Sequence, residues 1–264
     1  MNELELKWWL AALAGGAGCG LAGFFLLALQ VPFLAVCLAH AALAGAVLGL
    51  ALGWPSQACA FAGALFAAAL LGPLADRSRL SREAMAGVLF SLSLGLAFLG
   101  IGIMATHRGE ALGLMWGNLL LLRWSDVVAL TAVATVGGLA AWRWLPQLRA
   151  VLFDRHIAHA SGLPAAAFVY ALLAWSGLAV AVNLEAVGGL MLYSLLINPA
   201  AAARQLSERF VPALLLSVAL AVASATGGLG LAIVCEWPAG ACIVLVSSCI
   251  FAAATAVKLR RSAF

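Results

Sequence analysis

Two side chains that can bind a metal ion stand three residues apart inside a strongly apolar stretch of this sequence. His40 lies in the run 33–52, and Cys37 precedes it by one helical turn. On an α-helix this spacing places both side chains on one face, and imidazole and thiolate are both good zinc ligands. Three interpretations stay open here. The histidine can be a neutral packing residue, a transient contact on a metal pathway, or part of a closed site that needs further ligands.

Other kinds of chemistry find little support in the residues. No Asp, Glu, Lys or Arg lies in the middle of an apolar run, which argues against a proton-coupled carrier because such carriers need an ionisable relay. Ser161 and His159 lack the Gly-x-Ser-x-Gly context of a serine hydrolase. There is also no Gly-x-x-x-x-Gly-Lys-Ser/Thr phosphate loop. We therefore expect neither an enzyme nor a permanently bound cofactor.

The elements that position these residues follow from the composition. Hydrophobic residues make up 66% of the 264 positions and charged residues only 9%, which a soluble domain of this size could not bury. The sequence predicts an all-α, polytopic membrane protein with a single domain over 1–264. About nine helices are expected, in a range of eight to ten, with a re-entrant helix near 111–122. The predicted spans are 8–29, 33–52, 55–74, 84–104, 126–145, 164–183, 186–203, 210–231 and 238–258.

The distribution of Lys and Arg gives the expected orientation. If the loop 143–162 is cytoplasmic, alternating crossings place 11 of the 14 basic residues inside and leave only Lys7, Arg108 and Arg123 outside. The N-terminus then lies outside and the C-terminus in the cytoplasm. The net charge of +4 is explained by this topology and by lipid headgroups, and we expect no nucleic-acid partner.

The polar segment 152–164 is too short and too polar to cross a bilayer. Asp154 is a good N-cap for a short helix, Gly162 is suited to end it, and Pro164 can begin the next span. We predict a short amphipathic helix on the cytoplasmic face, shaped to be held by a soluble partner.

A second feature is the segment 186–203, which opens with Gly188 and Gly189 and contains Asn198 and Pro199 near its inner end. Proline removes a backbone hydrogen bond, and an asparagine side chain can satisfy the groups that are freed. These residues are predicted to line a gate. The alternative, that they only permit close helix packing, is equally open.

Taken together, the chain resembles the permease subunits of zinc- and manganese-type ABC importers. Each matching stretch is only moderately specific, but their order and spacing extend over nearly the whole chain. The stretches are 38–45 (LAHAALAG), 153–162 (from Phe-Asp through Ala158 to Gly162), 187–203 (VGGLM, then LLINPAAAA), and 227–231 followed by 238–245 (PAGACIVL).

The resemblance implies a permease homodimer in a bacterial cytoplasmic (inner) membrane, with an ATPase dimer inside and a substrate-binding protein outside. Asp154, Ala158 and Gly162 would couple the permease to the ATPase, where ATP would be hydrolysed. The cargo would be a divalent cation, with zinc first and manganese or iron next.

One departure affects the cargo. The family usually has an Asp four residues before the histidine, and this chain has Val36 there. Cys37 can substitute as a softer ligand, which would favour zinc over manganese. A metal chelate is the alternative cargo, and an ATPase-independent channel or secondary carrier is the alternative mechanism.

Overall fold

The computed structural model describes residues 3–104, 108–117, 122–189 and 191–262. In these ranges every regular element is a helix. In chain order they are α1 Glu3–Ala28, α2 Leu34–Leu52, α3 Ser56–Ser78, α4 Arg82–Ile103, α5 Arg108–Trp116, α6 Trp124–Arg143, α7 Leu145–Phe153, α8 Arg155–Ala160, α9 Ala165–Val187, α10 Leu192–Leu206, α11 Phe210–Cys235 and α12 Ala239–Ser262.

Among the described residues, eight helices are long and apolar enough to cross a bilayer: α1 to α4, α6, α9, α11 and α12. This number agrees with the predicted range of eight to ten. A ninth helix, α10, has only 15 residues. At 1.5 Å per residue it rises about 22 Å, which is less than the hydrocarbon thickness of about 30 Å.

Small residues set the distance between the helices and reveal their directions. Gly16 packs against the backbone of Val222, and Gly20 against that of Val218, so α1 and α11 are antiparallel. The Ser217 hydroxyl donates a hydrogen bond of 2.7 Å to the Gly20 carbonyl across this contact. Close approach of this kind is how helices associate in lipid, where apolar side chains alone give no preference for a neighbour.

The direction of α10 follows from its neighbours. Only three residues separate it from α11, against which it packs, so these two helices form a hairpin. Three residues also separate α11 from α12, and these helices pack together, so α12 is antiparallel to α11 as well. Accordingly α1, α10 and α12 run in the same direction, and α10 provides a short ninth traverse. Glu3 and Ser262 therefore lie at opposite ends of the bundle.

The predicted span 186–203 differs from the structure. Helix α9 continues to Val187 with Gly188 as its C-cap, and α10 begins only at Leu192. The paired glycines do not interrupt the apolar run of the sequence. Hydropathy therefore does not show that the helix ends there. The predicted re-entrant segment 111–122 corresponds to the nine-residue helix α5, and its residues 118–121 lie outside the described residues.

The basic residues gather at one end of the bundle. Gly72 packs on Tyr170 and Gly177 on Ala64, so α3 and α9 are antiparallel and the end of α3 lies beside the start of α9. This is the end that carries α7 and α8, and we name it the α8 end. The helix directions place there Arg77, Arg79, Arg82, Arg143, Arg149, Arg155, Arg204, Arg209, Lys258, Arg260 and Arg261.

Candidate functional site: a buried histidine, a helix break and a capped surface helix

His40 is held in a defined orientation inside α2. Its side chain is only 4% exposed, and Nδ1 lies 2.9 Å from the carbonyl oxygen of Val36. A bond to a carbonyl requires Nδ1 to carry the hydrogen, so in the neutral ring Nε2 keeps its lone pair. The ring also packs edge-on against Phe90, with centroids 4.8 Å apart. This is the arrangement in which a histidine can offer Nε2 to a metal ion.

Cys37 lies one turn earlier on α2 and is fully buried. Over the described residues, no group of three or more His, Cys, Asp and Glu side chains is close enough to hold a metal ion. The structure therefore gives the closed metal site no third ligand. Cys37 and His40 together could offer at most a two-point contact to a passing ion.

The break between α9 and α10 lies beside this part of α2. Gly188 ends α9 with φ of 89°, a left-handed conformation that favours glycine. A Cβ built on Gly189 would come within 3.9 Å of the Ala39 carbonyl oxygen. The structure thus brings one predicted gate residue, Gly189, next to the stretch that holds His40.

Helix α5 supports the break from the other side. The N–H of Gly189 donates to the Leu114 carbonyl at 3.3 Å. Gly117, with φ of 68°, lies so close to the backbone of Val187 and Gly188 that any side chain there would collide with it. Helix α5 and the helix break therefore form one packed unit.

The other two predicted gate residues lie further along α10. The Asn198 amide donates to the hydroxyls of Ser247 and Ser248 on α12, each at 3.2 Å. Pro199 is buried inside α10. The described hydrogen bonds of Asn198 thus connect α10 to α12, about two helical turns after the break.

Helix α8 has a complete cap at each end, as the sequence predicted. The Asp154 carboxylate accepts hydrogen bonds from the N–H groups of Ile157 (3.1 Å) and His156 (2.7 Å). These two bonds hold the pKa of Asp154 below its usual range. At the other end Gly162 has φ of 83°. Leu163 N–H donates to Ala158 O, and Gly162 N–H to His159 O, which is the Schellman arrangement.

The side chains of α8 divide between the bundle and the solvent. Ala158 is its one buried residue, while the neighbouring Phe153 and Ile157 are 86% and 59% exposed. Two large apolar side chains exposed on a basic, polar end are typical of a surface that binds another protein. Both residues belong to the stretch 153–162 that was predicted to dock on a partner, but no role was predicted for either side chain. The available signal was the presence of two large apolar residues in an otherwise polar segment.

A cavity at the opposite end of the bundle was not predicted from the sequence. Its volume is about 690 Å³, and Gln57, Arg123, Asp126 and Glu185 are among its lining residues. Asp126 is buried, and its carboxylate accepts from the Arg123 N–H at 2.7 Å and from the Ser125 hydroxyl at 3.2 Å. A cavity with both charged and apolar side chains in its lining thus lies at the end of the bundle away from α8.

Comparison with known proteins identifies the family to which this architecture belongs. The model of the ABC 3 transport family matches residues 1–258, which is nearly the whole chain. The chain belongs to the ABC 3 transport family. Like the relatives described below, this family member is a multi-pass membrane permease of the ABC importer class.

Two relatives are named as transport-system membrane proteins. The manganese transport system membrane protein MntC of Halalkalibacterium halodurans is 28% identical over 92% of this chain and 84% of its own. The chelated iron transport system membrane protein YfeD of Yersinia pestis is 25% identical, over 93% and 82%. The solved structure of PsaBC from Streptococcus pneumoniae, in complex with Fab, aligns with a TM-score of 0.86 at 24% identity, covering 96% of this chain and 91% of that chain. It shows the same fold.

Proposed function

We propose that this ABC 3 family member is the permease of an ATP-driven importer that moves a metal cargo, working as a homodimer. Its partners are an ATPase dimer at the α8 end and a substrate-binding protein at the other end. The observation that carries this proposal is α8 itself. It is a short helix capped at both ends. Its Ile157 is exposed, and so is Phe153 at the end of the preceding helix α7. Such a rigid, exposed element is suited to receive force from another protein.

Coupling depends on α8 moving as a unit. Asp154 and the turn at Gly162 keep the six-residue helix intact, and Ala158 seats it on the bundle. Because Pro164 leads directly into α9, a push on α8 is passed to the start of that helix. Since α9 ends at Gly188 beside α2, its tilt would change the space next to His40. ATP closes the ATPase dimer and so supplies the push from a separate chain.

The orientation of the permease in the membrane follows from the charge on the two ends. The α8 end carries most of the basic residues and is assigned to the cytoplasm, with the N-terminus outside and the C-terminus inside. The 690 Å³ cavity then opens outside, where a binding protein in a bacterial cytoplasmic membrane system would release its cargo. His40 makes one weak contact as the cargo passes, because an ion held by several ligands could not leave.

The cargo is a divalent transition metal. Imidazole and thiol side chains suit zinc, manganese and iron to different degrees, and the sulfur of Cys37 favours zinc. The names of the relatives point to manganese and to chelated iron. A chelated metal is the second candidate, and Val36 favours it. A chelate brings its own oxygen ligands and does not need the carboxylate that the family usually has at that position.

Metal accumulation in cells tests the proposal. Cells that lack this chain are complemented with the wild type, with His40→Ala, or with Cys19→Ala as a control for a buried residue on another helix. We expect the wild type and Cys19→Ala to restore uptake of one metal, and His40→Ala to leave it at the level of cells lacking the chain. If His40→Ala restores uptake fully, the histidine is structural.

The same cells distinguish an ATP-driven importer from an ATPase-independent channel or carrier. Inactivating the partner ATPase should abolish uptake by the wild type. Uptake that continues without any ATPase would show an independent channel or carrier, and the proposed mechanism would be wrong.

A further inference from the structure

A carboxylate lies on the side of His40 that faces the α8 end, at the start of α4. Glu83, Gly87 and Phe90 follow one another at spacings of four and three residues, so they share one face of α4. The Phe90 ring contacts the rings of His40 and Phe33, with centroids 4.8 Å and 5.6 Å away. A Cβ built on Gly87 would come within 4.0 Å of the Phe33 ring. This face of α4 therefore packs along the start of α2, from the histidine to Glu83.

The Glu83 carboxylate reaches across to the turn before α2. Its Oε1 accepts a hydrogen bond of 3.4 Å from the Phe33 N–H, and its charge acts on the phenol of Tyr193 at the start of α10. Among the described residues, Glu83 makes no further hydrogen bond and no ion pair. A carboxylate has about four acceptor sites. The side chain therefore keeps oxygen lone pairs that no described group uses.

The depth of Glu83 matters because this chain has Val36 where the family usually has a carboxylate. Helix α2 is antiparallel to α3 and so starts near the α8 end. Phe33, to which Glu83 is hydrogen-bonded, precedes Val36 by three residues, a rise of about 4.5 Å along α2. The structure thus offers a carboxylate about one helical turn inward of the usual position, from a different helix.

Glu83 and His40 are too far apart to hold one ion together. Phe33 precedes His40 by seven residues, which is a rise of about 10 Å, whereas metal–ligand bonds to imidazole and carboxylate measure about 2.0–2.2 Å. The side chains between them leave open surface, since Phe33, Phe90 and Glu83 are all half-buried. Ionisable residues that face such a surface in a membrane protein commonly mark an ion pathway. The geometry fits two contacts made one after the other.

We propose that Glu83 is the oxygen ligand that the cargo ion meets after His40, an inference that rests on the proposed function as a metal permease. The ion leaves Nε2 of His40, passes the Phe90 and Phe33 rings, and binds the free carboxylate oxygen before it enters the cytoplasm. A carboxylate suits manganese as well as zinc and iron. Because Glu83 supplies the oxygen that Val36 lacks, it favours a bare divalent cation over a chelate as the cargo.

Metal uptake by cells that contain the partner ATPase tests this role. Glu83→Gln keeps an acceptor for the Phe33 N–H and removes only the charge, so a purely structural Glu83 would tolerate the change. We expect the uptake rate to fall about tenfold, because the attraction between a carboxylate and a divalent ion is lost. Glu83→Asp keeps the charge and should retain clearly more uptake than Glu83→Gln. The control is Glu208→Gln, which removes an equal charge from an exposed position after α10 and should change nothing.

Membrane expression and copurification with the ATPase are measured for every variant, and we expect both to equal those of the wild type. Uptake by Glu83→Gln at the wild-type rate, or an equal loss in Glu83→Gln and Glu208→Gln, would overturn the role of Glu83 and leave the proposed function intact. Failure of Glu83→Gln to reach the membrane would show that Glu83 is structural and would overturn it too. A wild type that moves no metal would overturn the proposed function itself, and this inference with it.

Discussion

The hydrogen bond between His40 and Val36 determines what the imidazole can do. With Nδ1 engaged by a carbonyl of its own helix at 2.9 Å, only Nε2 is available to a ligand, and the Phe90 ring limits how far the side chain can turn. The same bond also satisfies a buried polar side chain, which any histidine in this position would require. The geometry therefore fits both a transient metal contact and a packing residue. Measuring transport by a His40 variant distinguishes the two roles.

Cys37 gives a prediction about metal selectivity. Replacing its sulfur with oxygen in Cys37→Ser removes a soft ligand and changes the size of the side chain very little. If the thiol contacts the cargo, zinc uptake should fall more than manganese uptake, because thiolate favours zinc and manganese prefers oxygen ligands. The measurement is accumulation of both metals in the same cells. Cys19→Ser, at another fully buried cysteine, is the control. An unchanged ratio of the two metals would show that Cys37 only packs.

Among the elements, α8 depends most on its ends, because a six-residue helix gains little from its own hydrogen bonds. The Asp154 carboxylate accepts hydrogen bonds from the first N–H groups of α8, and N–H groups of the turn at Gly162 donate to its last carbonyls. Both were predictable from residue type and position. The break after α9 was not, because Gly188 and Gly189 continue an apolar run. At the break, the backbone packs against Gly117 of α5, a contact between residues distant in sequence that a local pattern cannot show.

The cap at Asp154 predicts how α8 responds to pH. Its pKa is lowered in the folded chain, so the charged carboxylate stabilises α8 above its unfolded pKa of about 3.9, and the stabilisation is lost as pH falls through the lower folded value. Protection of the His156 and Ile157 amides against hydrogen exchange should therefore stay constant from pH 8 to about pH 5. Asp154→Asn keeps an acceptor and should retain protection, whereas Asp154→Ala should lose it throughout. Loss of protection in the wild type well above pH 5 would contradict this role.

Gly162 gives a prediction about the other end of α8. A Cβ at this position would meet no atom within 4 Å, so Gly162→Ala tests backbone conformation alone. The left-handed conformation should cost alanine about 1–2 kcal/mol, loosening the turn and reducing ATPase copurification at equal membrane expression. Gly162→Asn should lose less, because asparagine tolerates this conformation. The control is Gly138→Ala, a helical glycine that is equally open to added atoms. Full copurification with Gly162→Ala would show that the turn does not matter for docking.

At the scale of the whole molecule, the sequence predicted the helical class and most spans because both depend on local composition. It could not show how the helices pack, since that depends on pairs such as Gly63 with Ala41 and Gly45, where backbones touch. Nor could it show the cavity at the end away from α8, which is lined by several helices far apart in the chain. The chemistry of that cavity arises from packing.

The topology of the whole chain is open to a direct test by reporter fusions. Eleven of the 14 basic residues lie at the α8 end, and this asymmetry should keep that end in the cytoplasm. Green fluorescent protein fused after Phe264 should therefore fluoresce, and alkaline phosphatase at the same place should be inactive. Fusions after Gly53, in the turn between α2 and α3, should give the opposite pair of results.

The odd number of traverses, with α10 as the ninth, requires the two ends of the chain to differ. If the Phe264 and Gly53 fusions agreed with each other, α10 would not cross. If both pairs were reversed, α8 would face outward, where no ATPase could reach it.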